Sequence, residues 1–350
     1  MPCAATLLAV SALHADSLQH GIGAGAVVLT IESSATRLDL GNGRAAVLDV
    51  DASFAGHDLA VAGDGWLVAG SRRGIDRRER LALLTGSGER RRELPAPSGQ
   101  IARLRTMPVV LGADLLLAGG AGGGLAWLEG SNPSSFAVWA ANWTGTAFEE
   151  SRVVSPAGPG TQTALRGTTL ADGSWLLVWT AFDGSDDEVM WSVCSGGEWS
   201  EPLRVAGDDA WPDITPTLVA SGHGALLAWS RFDGGQYRLA LASFEDGEWS
   251  VPKWLATGSG LYPELLRGVA EPLLSYLEIS EQGARRWVVA ELDAGERRVA
   301  QRARVRSAAA ERPIVVATGR DGVLLRWQGE GTIIPARSAS VFRAWEAAAP

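Results

Sequence analysis

A short phrase that returns about every fifty residues constrains this chain more than any other feature. Leu176-Leu-Val-Trp-Thr-Ala-Phe-Asp-Gly184 and Leu226-Leu-Ala-Trp-Ser-Arg-Phe-Asp-Gly234 agree at six of nine positions and lie 50 residues apart. Further copies are Gly124-Leu-Ala-Trp127, Leu273-Leu-Ser-Tyr276 and Leu324-Leu-Arg-Trp327, with Trp66-Leu-Val-Ala69 the most degenerate. The aromatic position or its equivalent falls at Ala69, Trp127, Trp179, Trp229, Tyr276 and Trp327, spaced by 58, 52, 50, 47 and 51 residues. A period of this length means one supersecondary unit repeated, with neighbouring units covering each other's apolar faces.

Residues 212 to 260 show the grammar of one unit. Runs at Thr217–Ala220, Ala225–Phe232, Tyr237–Phe244 and Trp249–Leu255 are separated by Gly- and Asp-rich turns, the pattern of four antiparallel strands, here called a to d. Six such units predict an all-β chain, a six-bladed β-propeller of four-stranded antiparallel blades. Radial repetition is how such sheets avoid exposed edges. The expected blades are about 54–98, 99–160, 161–211, 212–260, 261–307 and 308–350, the last completed by 24–53, so that the N-terminal segment closes the last blade. The 15 Trp residues then have a cause, since large rings fill the wedges between blades.

Two c-to-d turns, Ser192-Val-Cys-Ser-Gly-Gly-Glu-Trp-Ser-Glu-Pro202 and Ser243-Phe-Glu-Asp-Gly-Glu-Trp-Ser-Val-Pro252, resemble shortened Asp-box turns of the sialidase-like, or bacterial neuraminidase repeat, propellers. The resemblance spans about residues 54 to 345 in architecture and two turns in motif. Asp246 stands at the box acid; the first turn has Ser195 or Gly196 there. What the resemblance implies for activity is a carboxylate-binding Arg triad, a Tyr nucleophile polarised by Glu, and an Asp acid. The Arg-Ile-Pro signature is absent, and only Tyr237, Tyr262 and Tyr276 exist as nucleophiles. These departures favour binding over sialidase catalysis.

With strand a innermost, the d-to-a and b-to-c connections share one face. There Trp211-Pro-Asp213 and Tyr262-Pro-Glu264 both offer an aromatic beside a carboxylate, and Arg312-Pro313 precedes the last unit. Trp211, Asp213, Tyr262, Glu264 and Arg312 are therefore the expected ligand-binding residues, suited to a glycan or protein partner through stacking and charge-assisted hydrogen bonds. The alternative is a glycoside hydrolase using two of these carboxylates. Asp183, Asp186, Asp187 and Glu188 have a spacing that could serve Ca²⁺, but without an EF-hand register they read as an ordinary acidic loop. His57 and His223 stand alone, and Cys3 and Cys194 are the sole cysteines, which leaves no zinc set and no disulfide framework. No phosphate loop, dinucleotide fingerprint or Gly-x-Ser-x-Gly elbow occurs, so neither cofactor nor metal is expected.

Forty acids against 31 bases give a net charge of −9, which disfavours nucleic acid as a partner. No apolar run is long enough to span a bilayer, and a monomer is expected. The stretch Met1–Ala15, apolar from Ala4 to Leu13 and ending in a small residue, reads as an export signal cleaved before Asp16, implying a periplasmic or extracellular protein.

Overall fold

A computed structural model describes residues 146–222 and 224–255 without interruption, much of 54–144 and 258–305, and strands within 17–48 and 314–326. It is all-β: every described strand pairing is antiparallel, and no helix occurs among the described residues. None is therefore long and apolar enough to cross a membrane.

Seven sheets are described, numbered here in chain order. Sheet 1 holds Ser17–His20, Val27–Ile31, Thr36–Gly41 and Arg44–Leu48; sheet 2 runs from Phe54–Ala62 to Arg90–Leu94, and sheet 3 from Val109–Leu111 to Arg152–Ser155. Sheet 4 begins with Gln162–Thr169, Trp175–Phe182 and Asp187–Ser195; sheet 5 with Asp213–Ser221, Gly224–Phe232 and Tyr237–Glu245. Sheet 6 runs from Ser259–Leu265 to Arg298–Val305, and sheet 7 is the hairpin Ile314–Thr318 with Gly322–Arg326. Within each sheet the strands pair in sequence order, except that in sheets 4 and 5 the third strand pairs with two short segments in turn, Glu198–Trp199 and Leu203–Arg204, and Glu248–Trp249 and Lys253–Trp254. The first strands of sheets 1 to 6 lie side by side in succession.

One expectation is corrected. The N-terminal segment does not complete the last sheet: among the described residues it pairs only within itself, as sheet 1, and sheet 7 is a separate hairpin. The reason is local. Gly41 pairs with Arg44 across Asn42-Gly43, the favoured sequence of a two-residue hairpin loop. A strand that finds its partner over two residues gives up far less chain entropy than one closing a loop across the whole protein.

In sheets 2 to 6 the repeated phrase lies in the buried second strand. Trp127, Trp179, Trp229 and Tyr276 are fully buried and sit within apolar clusters that link one sheet to the next. Such rings bury about 150–250 Å² each, which makes them the main apolar cement between sheets. The Asp-box-like turns are tight hairpins: Gly196 and Gly197 have φ of 60° and 88°, Asp246 and Gly247 53° and 85°. Positive φ at both central residues belongs to the turn whose twist matches a hairpin. Ser200 and Ser250 hydroxyls accept the amides of Val193 and Ser243 at 3.1 and 2.9 Å. Asp246 thus serves the turn through its backbone.

A second repeat lies in the first strands and has no obvious sequence signature. The ladder register slips between Thr163 and Arg166, Ile214 and Thr217, and Leu261 and Glu264. Within each slip one non-glycine residue is left-handed: Ala164 at φ 51°, Thr215 at 54° and Tyr262 at 53°. These are β-bulges, which bend a strand and re-aim side chains at a rim.

Candidate functional site

The ladder gives a residue-by-residue correspondence between sheets 4 and 5. Gln162 faces Ala181 as Asp213 faces Arg231, and Met190 faces Arg204 as Ala240 faces Trp254. The two sheets have used this common frame oppositely at the rim formed by their d-to-a and b-to-c connections.

In sheet 5 the rim is filled. Arg231 donates to Asp213 Oδ2 at 3.1 Å and to Asp209 Oδ2. Trp211, 45% exposed, packs on Phe232 with centroids 5.4 Å apart, and Phe232 meets Tyr237 edge-on at 5.2 Å. Asp213 is buried. Burial lifts its carboxyl to about 7 against the pull of Arg231 and of the nearby Trp229 indole, whose Nε1 lies outside hydrogen-bond geometry.

In sheet 4 the equivalents of Asp209, Trp211 and Arg231 are Gly158, Gly160 and Ala181. Three small residues replace three large ones, and a cleft of about 520 Å³ opens there. Phe182, Met190, Leu203 and Pro159 supply apolar wall, while Gln162, Asp183 and Arg204 supply polar groups. Gly160 has no latitude: a Cβ would lie 2.6 Å from the Phe182 ring. Gln162 is 3% exposed and donates through Nε2 to the Pro156 carbonyl at 2.5 Å, while its Oε1 has no partner. This acceptor is closed to water, and a ligand hydroxyl reaches it once the side chain turns toward the cleft.

Beside the cleft lies an acidic group. Asp183 closes its own loop, its Oδ1 accepting the amides of Ser185 and Asp186 at 2.8 and 3.3 Å, and its Oδ2 accepts Arg204 at 2.6 Å. The Ser185 amide foremost, with Asp186 and Arg204, holds Asp183 below the ordinary carboxylate range. Arg204 also pairs with Asp208 at 3.0 Å and approaches Glu188 Oε1 only to 4.0 Å. Burial, then the Asp213 and Asp186 charges, push Glu188 up to about 8; burial and Asp183 raise Asp186.

The sequence-expected residues are placed as follows. Trp211 and Asp213 share the filled rim of sheet 5. Tyr262 lies near enough to Tyr237 to help raise its phenol, after burial and the Asp187 charge. Trp211-Pro-Asp213 and Tyr262-Pro-Glu264 are not equivalent: the bulges align Tyr262 with Thr215, and Glu264 with Thr217. Arg312 lies outside the described residues, as do His223 and Cys3. Sequence reasoning missed Gln162, Ala181 and the cleft, because its signal is an absence of bulk visible only once Gly158 and Gly160 are aligned with Asp209 and Trp211.

The chain matches no protein-family model and no curated protein sequence. Among solved structures it is similar to the polysaccharide lyase Uly1, at 10% identity over 93% of this chain and 88% of that one, TM-score 0.56. It is also similar to a prolyl endopeptidase, at 14% identity over 90% of this chain and 46% of that one, TM-score 0.52. A lectin from Aleuria aurantia, described as a six-bladed β-propeller, aligns at 11% identity over 78% of this chain and 90% of that one, TM-score 0.44. At such identities the likeness to the lyase and the endopeptidase is one of fold.

Proposed function

We propose that this chain is a propeller-type binding protein that holds a hydroxyl-rich glycan in the cleft of sheet 4. The single observation that carries the reading is the cleft wall itself. It combines a ring face at Phe182, an unpaired buried acceptor at Gln162 Oε1, and the Asp183–Arg204 ion pair within about 520 Å³. That volume suits a sugar of one or two rings, and the mixture of apolar wall and few fixed polar groups is what such ligands need. Trp211, on the corresponding rim of sheet 5, gives an extended glycan a second stacking face. Closure of the sheets into a ring about their adjacent first strands, and export of the chain, belong to the same proposal.

Hydrolysis is the weaker alternative. Hydrolases of this kind need two carboxyl groups flanking the scissile bond. Asp183 is the one acid among the described residues that line the cleft, and both its oxygens already accept hydrogen bonds.

The test is a glycan array followed by calorimetry on wild type and Ala181→Arg, which restores at sheet 4 the side chain that fills sheet 5. The expected result is glycan binding by wild type and loss of at least tenfold in affinity in the variant. Absence of any glycan ligand, or equal affinity in both proteins, overturns the proposal.

A further inference from the structure

We propose that Asp183, Asp186 and Glu188 bind one Ca²⁺ ion at the rim of sheet 4. The inference shares Asp183 with the cleft but does not depend on the glycan reading. Each of the three offers an oxygen, and these oxygens lie within 4.8 Å of one another. Oxygens held at about 2.4 Å from one shared calcium ion can be no more than about 4.8 Å apart, so this group lies within reach of one such ion. Magnesium, which demands near-ideal octahedral geometry and gives up its waters reluctantly, is less suited to a cluster of buried carboxylates. The donors are carboxylates alone, with neither imidazole nor thiolate, the preference of a hard cation.

Two further observations point to a missing cation. Glu188 is 2% exposed and Asp186 9%, yet Glu188 Oε1 and Asp186 Oδ2 have no hydrogen-bond partner. A buried carboxylate oxygen without a donor costs free energy that a bound cation would remove. Arg204 does not meet the need, because Asp183 and Asp208 take its close contacts.

The corresponding rung of sheet 5 supplies the second observation. There Asp233 makes the same turn, accepting the amides of Gly235 and Gln236 at 3.0 and 2.9 Å. By the ladder, Asp186 and Glu188 correspond to Gln236 and Arg238. Arg238 lies 3.7 Å from Asp233 and stacks on the Trp254 ring at 5.1 Å. The turn is therefore stable without an acidic cluster. Sheet 4 has replaced a neutral amide and a cation with two buried acids, a change the fold does not require.

When the ion binds, Arg204 retains Asp208 while Asp183 turns an oxygen to the metal. The experiment uses the full chain, stripped with chelator and dialysed, with CaCl₂ as probe in calorimetry and thermal unfolding. The expected result is one site of submillimolar to millimolar affinity and, at about 10 mM Ca²⁺, a rise in Tm of roughly 1–3 °C. Equimolar MgCl₂ should give less than half that rise. Glu188→Gln and Asp186→Asn, each compared with itself with and without Ca²⁺, should lose at least tenfold in affinity. No heat and no shift in wild type, an equal response to Mg²⁺, or wild-type affinity in both variants would overturn the assignment.

Discussion

Asp213 and Arg231 face each other directly across the first two strands of sheet 5 and form an ion pair at 3.1 Å, at the rung where sheet 4 sets Gln162 opposite Ala181. Arg231 is 16% exposed at its side chain and Asp213 2%, so the pair is shielded from water. Removing one partner of such a pair leaves the other charge buried, a far larger loss than the pair's own net contribution.

Arg231→Ala should therefore destabilise the protein by about 3 kcal/mol near pH 8, the lower end for a broken buried pair. Near pH 5 the loss should be smaller, because the stranded Asp213 can take up a proton. Urea unfolding at the two pH values measures both.

Asp213 and Glu188 give the stability of the wild type a definite dependence on pH. Their carboxyls stand at about 7 and about 8 in the folded chain, above their ordinary values of 3.8 and 4.5. The folded state thus binds more protons than the unfolded state across that interval. Stability is greatest below it and falls as pH rises through the folded values. Thermal melts from about pH 5 to about pH 8 should show Tm falling, and Asp213→Asn should flatten the slope without abolishing it, since Glu188 remains.

Ala164 occupies a left-handed conformation at φ 51° that costs an L-residue about 1–2 kcal/mol, whereas glycine adopts it freely. Ala164→Gly should be neutral or stabilise by up to about 1 kcal/mol once the entropy lost by glycine is counted. Ala228→Gly, on an ordinary buried strand, should destabilise by about 1 kcal/mol or more. A clear loss at Ala228 with none at Ala164, read by chemical denaturation, is the expected result.

Cys194 is buried at 5% exposure, and burial raises its thiol above the ordinary value. The thiolate is the reactive form, so native protein should label with a thiol reagent at least tenfold more slowly than protein unfolded in urea.

The repeat was legible because its cause is apolar burial, which leaves Leu-x-aromatic in five of the six copies; Trp127, Trp179, Trp229 and Tyr276 all lie where that pattern puts them. The independence of sheet 1 was less so. Its signal, Asn42-Gly43 between two strand-like runs, is only two residues long and competes with a plausible long-range closure. The acidic run at 183 to 188 was visible, but its convergence was not. Strand alternation sends Glu188 to the opposite face from Asp187, and a loop folded by Asp183 brings Asp186 back beside it. The bulges at Ala164, Thr215 and Tyr262 share no residue type. Their repetition is a property of backbone and register, and without it Trp211-Pro-Asp213 and Tyr262-Pro-Glu264 look like copies of one motif.

The common register of sheets 4 and 5 makes the rim a set of interchangeable stations. Asp209→Gly, Trp211→Gly and Arg231→Ala, combined with Asp213→Gln, would write the sheet 4 station into sheet 5 without touching the Trp229 core. On such a scaffold a recognition site can arise by subtraction, through the loss of three side chains over an unchanged frame, while the charge of Asp213 still reaches Glu188 at the next station.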